Sequence, residues 1–368
     1  MATALGFIIN AAGLFVPLGL QAKYAKETPK EATSVQIIVG NGGSSGGNVP
    51  HIALWDDDGN RIGQYHPGSA DKVDDSQDGL FVVEHNQNGN KQADPYYIML
   101  SNLENDAICI SAITVANRKI SGTFYGDTGY TCGQSWFIGN NTIGSNFQTP
   151  KCVWLDADHT NKINARAMSF HLNDMAPSTD KMSQYQNNRD TLCKSTPRFS
   201  FWGNLLPDGV IPFFKPRLEY NEDSAAAGQG ADKDLSRVID KPDQYNKAVY
   251  LHQGEKTKAK ARSSSARSVH TRGANHDPSH LIVTSDPNHD IHEVCSHENS
   301  YGWDIASTAQ NVYCDMEHKQ IYVLCDQSVT ENCFDLKTKQ IVPQGGVYAR
   351  AELAEAFPSK GYNSVAHW

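Results

Sequence analysis

Short runs with strand-like composition, separated by turn residues, recur from residue 35 to residue 214, and the run 107–115 alternates small or polar residues with branched apolar ones. Alternation with a period of two is typical of β-strands that bury one face. The runs span residues 35–39, 51–55, 61–65, 80–84, 96–100, 107–115, 120–125, 135–138, 152–155, 198–202 and 210–214. Many short strands at this spacing predict an antiparallel β-sandwich, with a small barrel as the alternative.

Turn-forming residues mark the ends of several runs. Asp58-Gly59 lies between the runs 51–55 and 61–65, and glycine accepts a positive φ without a Cβ clash, so these runs are predicted to pair as a hairpin. Turns are also predicted at 126–129, 139–141 and 149–150. The stretch 97–156 is predicted to form the centre of an antiparallel sheet, with its thiols linking neighbouring strands.

The composition of the chain changes after residue 220. Residues 221–234 are acidic and rich in small residues, whereas residues 256–272 carry six basic residues and no acidic one. This profile is typical of an exposed linker, with docking on an anionic surface as the alternative. Farther along, the sequence predicts a helix at 290–295, strands at 311–314 and 320–325, and an amphipathic helix at 349–357 that ends at Pro358.

These patterns predict a mainly β protein in four parts. Residues 1–33 form an apolar N-terminal segment and linker, residues 34–220 an antiparallel β-sandwich domain, residues 221–275 a flexible linker, and residues 276–368 a small disulfide-rich α+β module. The length of 368 residues is ordinary for two domains.

The N-terminal segment contains an uncharged apolar run over residues 4–20. Its length lies between that of a signal-peptide core and that of a membrane span. No basic residue precedes it, and Asn10 and Pro17 disfavour a straight helix. Three roles stay open: a secretion signal cleaved after Ala22 or Ala25, a membrane anchor, or a retained segment that binds a second copy of the chain or a cell-wall or cell-surface partner.

The charge balance argues against one class of partner. The net charge is −9 and the isoelectric point is about 5.8. Because binding to nucleic-acid phosphates requires a basic face, nucleic acid is excluded as the main partner.

The eight cysteines form two groups of four, one in each predicted domain. They are Cys109, Cys132, Cys152 and Cys193, followed by Cys295, Cys314, Cys325 and Cys333. No pair has the C-x-x-C spacing of zinc ribbons or thioredoxin-like proteins. The sequence therefore predicts two disulfides in each domain and an oxidising compartment, with buried free thiols as the alternative. Four cysteines allow three connectivities, so the pairing stays open.

Five longer stretches carry a family resemblance. They read HIALWDDDGNRIG, LSNLENDAICISAITV, GDTGYTCGQSWF, PKCVWLDAD and VCSHENSYGWDIASTAQNVYCDMEHKQIYVLCDQSVTENCFDL. Together they resemble a large group of filamentous-fungal proteins, most of them predicted to be secreted, over residues 34–215 and 276–340. The resemblance implies secretion, disulfides and two modules. It implies no catalytic residue, because the group has no established activity.

Two clusters are candidate metal sites. Asp56, Asp57 and Asp58 lie at the predicted hairpin tip, and loop carboxylates of this kind can bind calcium. A solvated turn is the alternative, because consecutive strand side chains point to opposite faces.

Six of the fourteen histidines fall at 270, 276, 280, 289, 292 and 297. They predict a histidine-rich surface loop, with a zinc or copper site as the alternative. The spacing of His292 and His297 differs from that of a zincin motif.

Other residues suggest weaker hypotheses. No nucleophile motif occurs, and the glycine-rich stretch 40–47 lacks the residues of a phosphate-binding loop. Core packing is the expected role of Trp136, Trp154, Tyr125 and Tyr130, and a sugar-binding face is the alternative. Asn140 begins the single N-glycosylation sequon.

Two functions follow from these observations. The first is a non-enzymatic extracellular or cell-surface fungal protein that acts by binding or self-assembly, without a cofactor unless calcium binds. The alternative is a secreted hydrolase that acts on cell-wall polysaccharide. Two carboxylates facing a deep cleft would favour the hydrolase.

Overall fold

The computed structural model describes residues 29–40, 43, 45–75, 79–143, 149–160, 163–176, 178–220, 230–232, 279–344 and 360–368. The chain divides into two compact units, Met1–Thr271 and Arg272–Trp368. The predicted mainly β class is confirmed, since 36% of the described residues are in strands and 11% in helices. The apolar N-terminal run, almost all of the predicted linker and the predicted helix at 349–357 lie outside the described residues.

The first unit contains thirteen described strands and four short helices. In chain order these are β1 (Ala32–Val39), β2 (Gly47–Asn48), β3 (His51–Trp55), β4 (Arg61–Tyr65), β5 (Lys72–Val73), β6 (Gly79–Glu84), β7 (Tyr97–Ser101), β8 (Ile108–Ala116), β9 (Ser121–Tyr125), α1 (Gly126–Thr131), β10 (Trp136–Phe137), β11 (Cys152–Leu155), β12 (Ala167–His171), the 3-10 helix η1 (Leu172–Met175), α2 (Thr179–Asn187), α3 (Asp190–Cys193) and β13 (Phe199–Trp202).

Two antiparallel sheets form most of this unit. The first has the order β10-β11-β8-β1-β6, and β9 also pairs with β8. The second has the order β13-β12-β7-β3-β4. β8 is buried along its whole length and has partners on both edges, as predicted for the central stretch. Phe124 of the first sheet stacks on Phe170 and Phe199 of the second, with ring centroids 5.9 and 5.3 Å apart. The two sheets therefore share a hydrophobic core.

The hairpin predicted around Asp58-Gly59 is confirmed. β3 and β4 pair in antiparallel register, and Gly59 has a φ of 81°, which a residue with a Cβ adopts only under strain. Asp56 supports the turn because its Oδ1 accepts hydrogen bonds from the backbone N–H groups of Asp58 and Asn60 at 3.0 and 2.8 Å.

Two local predictions were wrong. Residues 126–129, predicted as a turn, begin helix α1, and Gly126 lets the backbone lie against the carbonyl of Lys151. Residues 210–214, predicted as a strand, have irregular backbone. Pro212 has no N–H to donate to a neighbouring strand, and Phe214 N–H donates instead to the Tyr97 hydroxyl at 3.1 Å.

The described residues of the second unit form a mixed sheet of seven strands and one short helix. In chain order these are β14 (His280–Thr284), α4 (Ile291–Ser296), β15 (Asp304–Ser307), β16 (Val312–Asp315), β17 (Gln320–Leu324), β18 (Cys333–Asp335), β19 (Gln340–Val342) and β20 (Ser364–His367). The sheet order is β19-β18-β17-β16-β15-β14-β20. The pairs β14–β15, β14–β20 and β17–β18 are parallel. Helix α4 begins as predicted, because the Asp290 side chain accepts the Glu293 N–H at 3.0 Å.

All eight cysteines form disulfides, two in each unit, as predicted. The pairs are Cys109–Cys152, Cys132–Cys193, Cys295–Cys314 and Cys325–Cys333. The first joins the neighbouring strands β8 and β11, which agrees with the prediction for this stretch. The second joins the end of α1 to α3 and the third joins α4 to β16, so the remaining thiols do more than link strands. No helix among the described residues has the length and apolarity needed to cross a bilayer.

Candidate functional site

A buried cluster of ionisable residues surrounds Asp174 in the first unit. Its carboxylate accepts hydrogen bonds from His171 Nδ1 at 2.8 Å, from the Tyr185 hydroxyl at 2.6 Å and from the Tyr220 hydroxyl at 2.7 Å. Arg198 Nη1 lies 3.6 Å from the same carboxylate. These residues come from β12, η1, α2 and two loop segments, so the carboxylate connects elements far apart in sequence.

The electrostatics of this cluster favour a fixed negative charge on Asp174. Burial raises the pKa of the carboxyl group, but the Arg198 charge and the hydrogen bonds from His171 and Tyr185 outweigh burial and hold the pKa well below its usual range. Burial also raises the pKa of Tyr185 far above its usual value, so its hydroxyl stays a donor. Arg198 also forms a buried ion pair with Asp232. The packing of the first unit therefore includes Asp232, beyond the predicted domain end at residue 220.

A small pocket adjoins the Asp174 cluster. Its volume of about 30 Å³ is enough for about two water molecules. Its lining consists of Thr123, Tyr125, Thr128, Asp174, Met175, Ala176, Ser178, Lys181, Met182, Tyr185 and Leu192. Burial lowers the pKa of Lys181 to about 8, against the opposing effect of Asp174. Lys181 Nζ donates to the Asn173 carbonyl and lies 4.8 Å from the centre of the Tyr220 ring. The pocket is too small for a sugar ring, and its lysine is held by local contacts.

The candidate calcium ligands do not converge. Asp56 is engaged by the backbone of its own turn. Arg217 lies 3.5 Å from Asp57 and donates its Nε–H to Asp58 at 2.9 Å. Burial raises the pKa of Asp57, whereas the hydrogen bond from Arg217 lowers that of Asp58. The tip is thus joined to residue 217 by ion pairs, and calcium binding there stays a prediction.

The candidate histidines are dispersed. His270 and His276 lie outside the described residues. His280 and His289 are buried and bond the hydroxyls of Ser364 and Thr284, both at 2.8 Å, so they belong to the packing of the second unit rather than to a surface loop. His292 is exposed on α4, and His297 Nδ1 accepts the Asn299 N–H at 3.1 Å.

Three other residues, Asp315, Glu317 and His318, have side-chain atoms spaced closely enough to hold a metal ion. Ligand atoms of Asp315, Glu317 and His318 lie within 4.8 Å of one another, the one group of this kind among the described residues. However, Lys360 Nζ lies 2.9 Å from Asp315 Oδ1, and His318 Nδ1 lies 2.9 Å from Asp315 Oδ2. Burial raises the pKa of Asp315, but the hydrogen bonds from Lys360 and His318 outweigh burial and lower it. The ammonium of Lys360 therefore already balances the charge that a cation would meet.

A carboxylate pair at Asp156 and Asp158 was not predicted from the sequence. Burial, together with the charge of Asp158, raises the pKa of Asp156 to about 7. Asp156 Oδ2 accepts hydrogen bonds from the Thr160 hydroxyl at 2.8 Å and from the Thr160 N–H at 2.6 Å. Asp156 is fully buried and organises a loop, so it does not face a cleft.

The predicted aromatic and glycan sites lie at different depths. Trp136 and Trp154 are fully buried and Tyr125 is nearly so, which agrees with the core interpretation. Tyr130 is half-buried, with Lys151 Nζ 4.5 Å from its ring centre. Asn140 is half-buried in irregular backbone, and its N–H donates to the Gly40 carbonyl at 2.9 Å. Glycosylation of Asn140 stays a prediction.

Comparison with known proteins adds no relative. No protein-family model matches the chain, and neither a curated protein nor a solved structure matches it. The resemblance to the fungal group therefore stays a prediction.

Proposed function

We propose that the chain is a non-enzymatic extracellular or cell-surface fungal protein that acts by self-assembly or by binding a cell-wall or surface partner. Four disulfides, with no free thiol among the described residues, support an oxidising compartment. The observation that carries the binding role is the apolar surface of β6, the terminal strand of the first sheet.

Strand β6 has β1 as its one strand partner among the described residues. Leu80 and Val82 are each 46% exposed on it, and the half-buried Phe81 contacts the Tyr65 ring at 5.0 Å. At the other end of β6, the carbonyl of Glu84 lies close against the backbone of β4. The apolar half of the strand is the part that can accept another chain. Terminal strands with exposed apolar side chains are recurrent sites of strand addition.

The predicted N-terminal contact fits this location. The chain enters β1 at Ala32, which pairs with Glu84 on β6. The apolar run over residues 4–20 precedes β1 in the sequence and lies outside the described residues. An apolar segment and an apolar strand edge from neighbouring copies would bury their surfaces together.

The test is the mass of the secreted full-length chain in solution, measured by light scattering across micromolar concentrations. We expect an oligomer that dissociates when Leu80→Ser and Val82→Ser are combined. The matched control is Val210→Ser, since Val210 is 72% exposed and lies on no strand. A monomeric wild-type chain that also fails to bind isolated fungal cell walls would contradict the proposal.

The secreted hydrolase acting on cell-wall polysaccharide is the alternative: a pKa of about 7 at Asp156 would suit a general acid, but this carboxyl is fully buried and does not face a cleft. Its test is hydrolysis of insoluble β-glucan and chitin by the purified chain and by the Asp156→Asn variant. Hydrolysis that the variant loses would support this candidate. Absence of hydrolysis by the wild-type chain would end it for these substrates.

A further inference from the structure

The β3–β4 hairpin places two histidines side by side. Ile52 pairs with Tyr65, so the antiparallel register sets His51 opposite His66. Directly opposed residues on antiparallel strands have Cβ atoms about 5 Å apart, close enough for their side chains to touch. The two imidazole rings meet edge to face, with centroids 4.2 Å apart.

His51 differs from the other buried histidines. It is 1% exposed, and neither of its ring nitrogens has a hydrogen-bond partner among the described residues. By contrast, His85 bonds Thr33 at 2.8 Å, and His171 bonds Asp174 at 2.8 Å. Buried polar groups in native proteins are nearly always paired. An imidazole with two unused nitrogens therefore suggests a ligand that the protein alone does not supply.

The surroundings of the pair allow a cation to reach it. His66 is exposed, so an ion can enter from its side. The amide of Gln64 contacts His66 Nε2 and can turn its oxygen toward the ring nitrogen. The nearby Arg61 guanidinium would repel a cation, but the Asp208 carboxylate lies 3.8 Å from it and offsets its charge.

We propose that His51 and His66 bind one divalent copper ion, with water and the Gln64 amide oxygen as further ligands. Neutral imidazole is a good copper ligand, and copper binds a given set of nitrogen ligands more tightly than the other divalent first-row metals do. A site with only two histidines is therefore expected to bind copper more tightly than zinc or nickel. This inference is independent of the proposed binding role.

The experiment is titration of the full-length chain with Cu(II), followed by electron paramagnetic resonance and by the thermal midpoint. We expect the chain to bind one equivalent of Cu(II) whose spectrum shows coupling to two nitrogens. The thermal midpoint of unfolding should rise because the ion binds the folded state. His66→Ala should weaken this equivalent at least about tenfold, which corresponds to about 1.4 kcal/mol. His66 is exposed, so the variant should fold.

Two further variants separate the pair from background binding. His51→Asn should remove the same equivalent, whereas His292→Ala, which changes an exposed histidine on α4, should leave it unchanged. If His66→Ala binds copper as the wild-type chain does, the inference is wrong. A spectrum with one nitrogen, or loss of the signal in His292→Ala alone, would also overturn it.

Discussion

Each unit buries a network of charges, and the two networks have opposite centres. In the first unit the centre is a carboxylate, Asp174, surrounded by donors that include Arg198. In the second unit the centre is an ammonium, Lys360, whose Nζ lies 3.2 Å from Asp304 and 2.9 Å from Asp315. Burial lowers the pKa of Lys360, but the two carboxylates outweigh burial and raise it.

The difference shows what each network stabilises. Asp174 joins a strand end, a helix and loop residues of the first unit around one carboxylate. Lys360 belongs to the C-terminal segment 360–368 and attaches it to β15 and β16. The Tyr362 hydroxyl of the same segment also donates to Asp304. Removing either centre leaves buried charges unpaired, and this loss costs more than the net contribution of an intact pair.

The largest effect is expected from Asp174→Asn. It leaves the Arg198 charge with one carboxylate fewer and replaces the Oδ2 acceptor of His171 by an NH2 group, so we expect a loss of up to about 5 kcal/mol in the first unit. Hydrogen exchange measured by mass spectrometry assigns the loss to one unit. Asp180→Asn, on an exposed residue of α2, is the control and should cost less than about 1 kcal/mol. A loss no larger than that of the control would show that Asp174 is not central.

Removing one disulfide from each unit tests whether the length of the closed loop sets how much the bond stabilises the protein. Cys132 and Cys193 are separated by 61 residues, whereas Cys325 and Cys333 are separated by 8. Loop-closure entropy predicts losses of about 4 kcal/mol for the first pair and about 2.5 kcal/mol for the second when both cysteines become serine. Urea denaturation of the two double variants tests this order. The reverse order would mean that native packing around the bonds outweighs chain entropy.

Lys360→Met tests the second network. Asp304 and Asp315 lose their shared cation, and we expect the second unit to lose about 3 kcal/mol. Hydrogen exchange should show the loss in β15, β16 and the C-terminal strand β20. Lys337→Met, at an exposed position of the same unit, is the control. Equal exchange in the two variants would contradict a central role for Lys360.

The smallest expected effect is the change of the free energy of unfolding with alkaline pH that Lys181 causes. Its folded pKa of about 8 lies below its ordinary value of 10.5, so the unfolded chain binds more protons between these values. Stability should therefore rise with pH in that window, by about 1 to 2 kcal/mol between roughly pH 8 and 9.5. Lys181→Met should remove the rise, as measured by urea denaturation. An unchanged slope would show that Lys181 keeps its ordinary pKa.

Much of the local structure was predictable because it rests on neighbours in sequence. The alternation of side chains predicted β8, strand-like composition predicted β11, and Asp58-Gly59 predicted the β3–β4 turn. That hairpin register also places His51 opposite His66, so the pair could have been found from the sequence. The candidate site at Asp174 carried no such signal, since its partners reach it from Arg198 and Tyr220 through the tertiary fold.

The sequence by itself determined the mainly β class, the division of the cysteines between two units and the cap of α4, because composition and short-range spacing control these features. Only the tertiary structure decided which cysteines pair, and only it revealed the parallel pairing in the second sheet and the packing of residues 210–214 without strand pairing. The physical reason is that these features depend on contacts between residues far apart in the chain. Local patterns favour a strand or a helix, but they do not specify the partner it packs against.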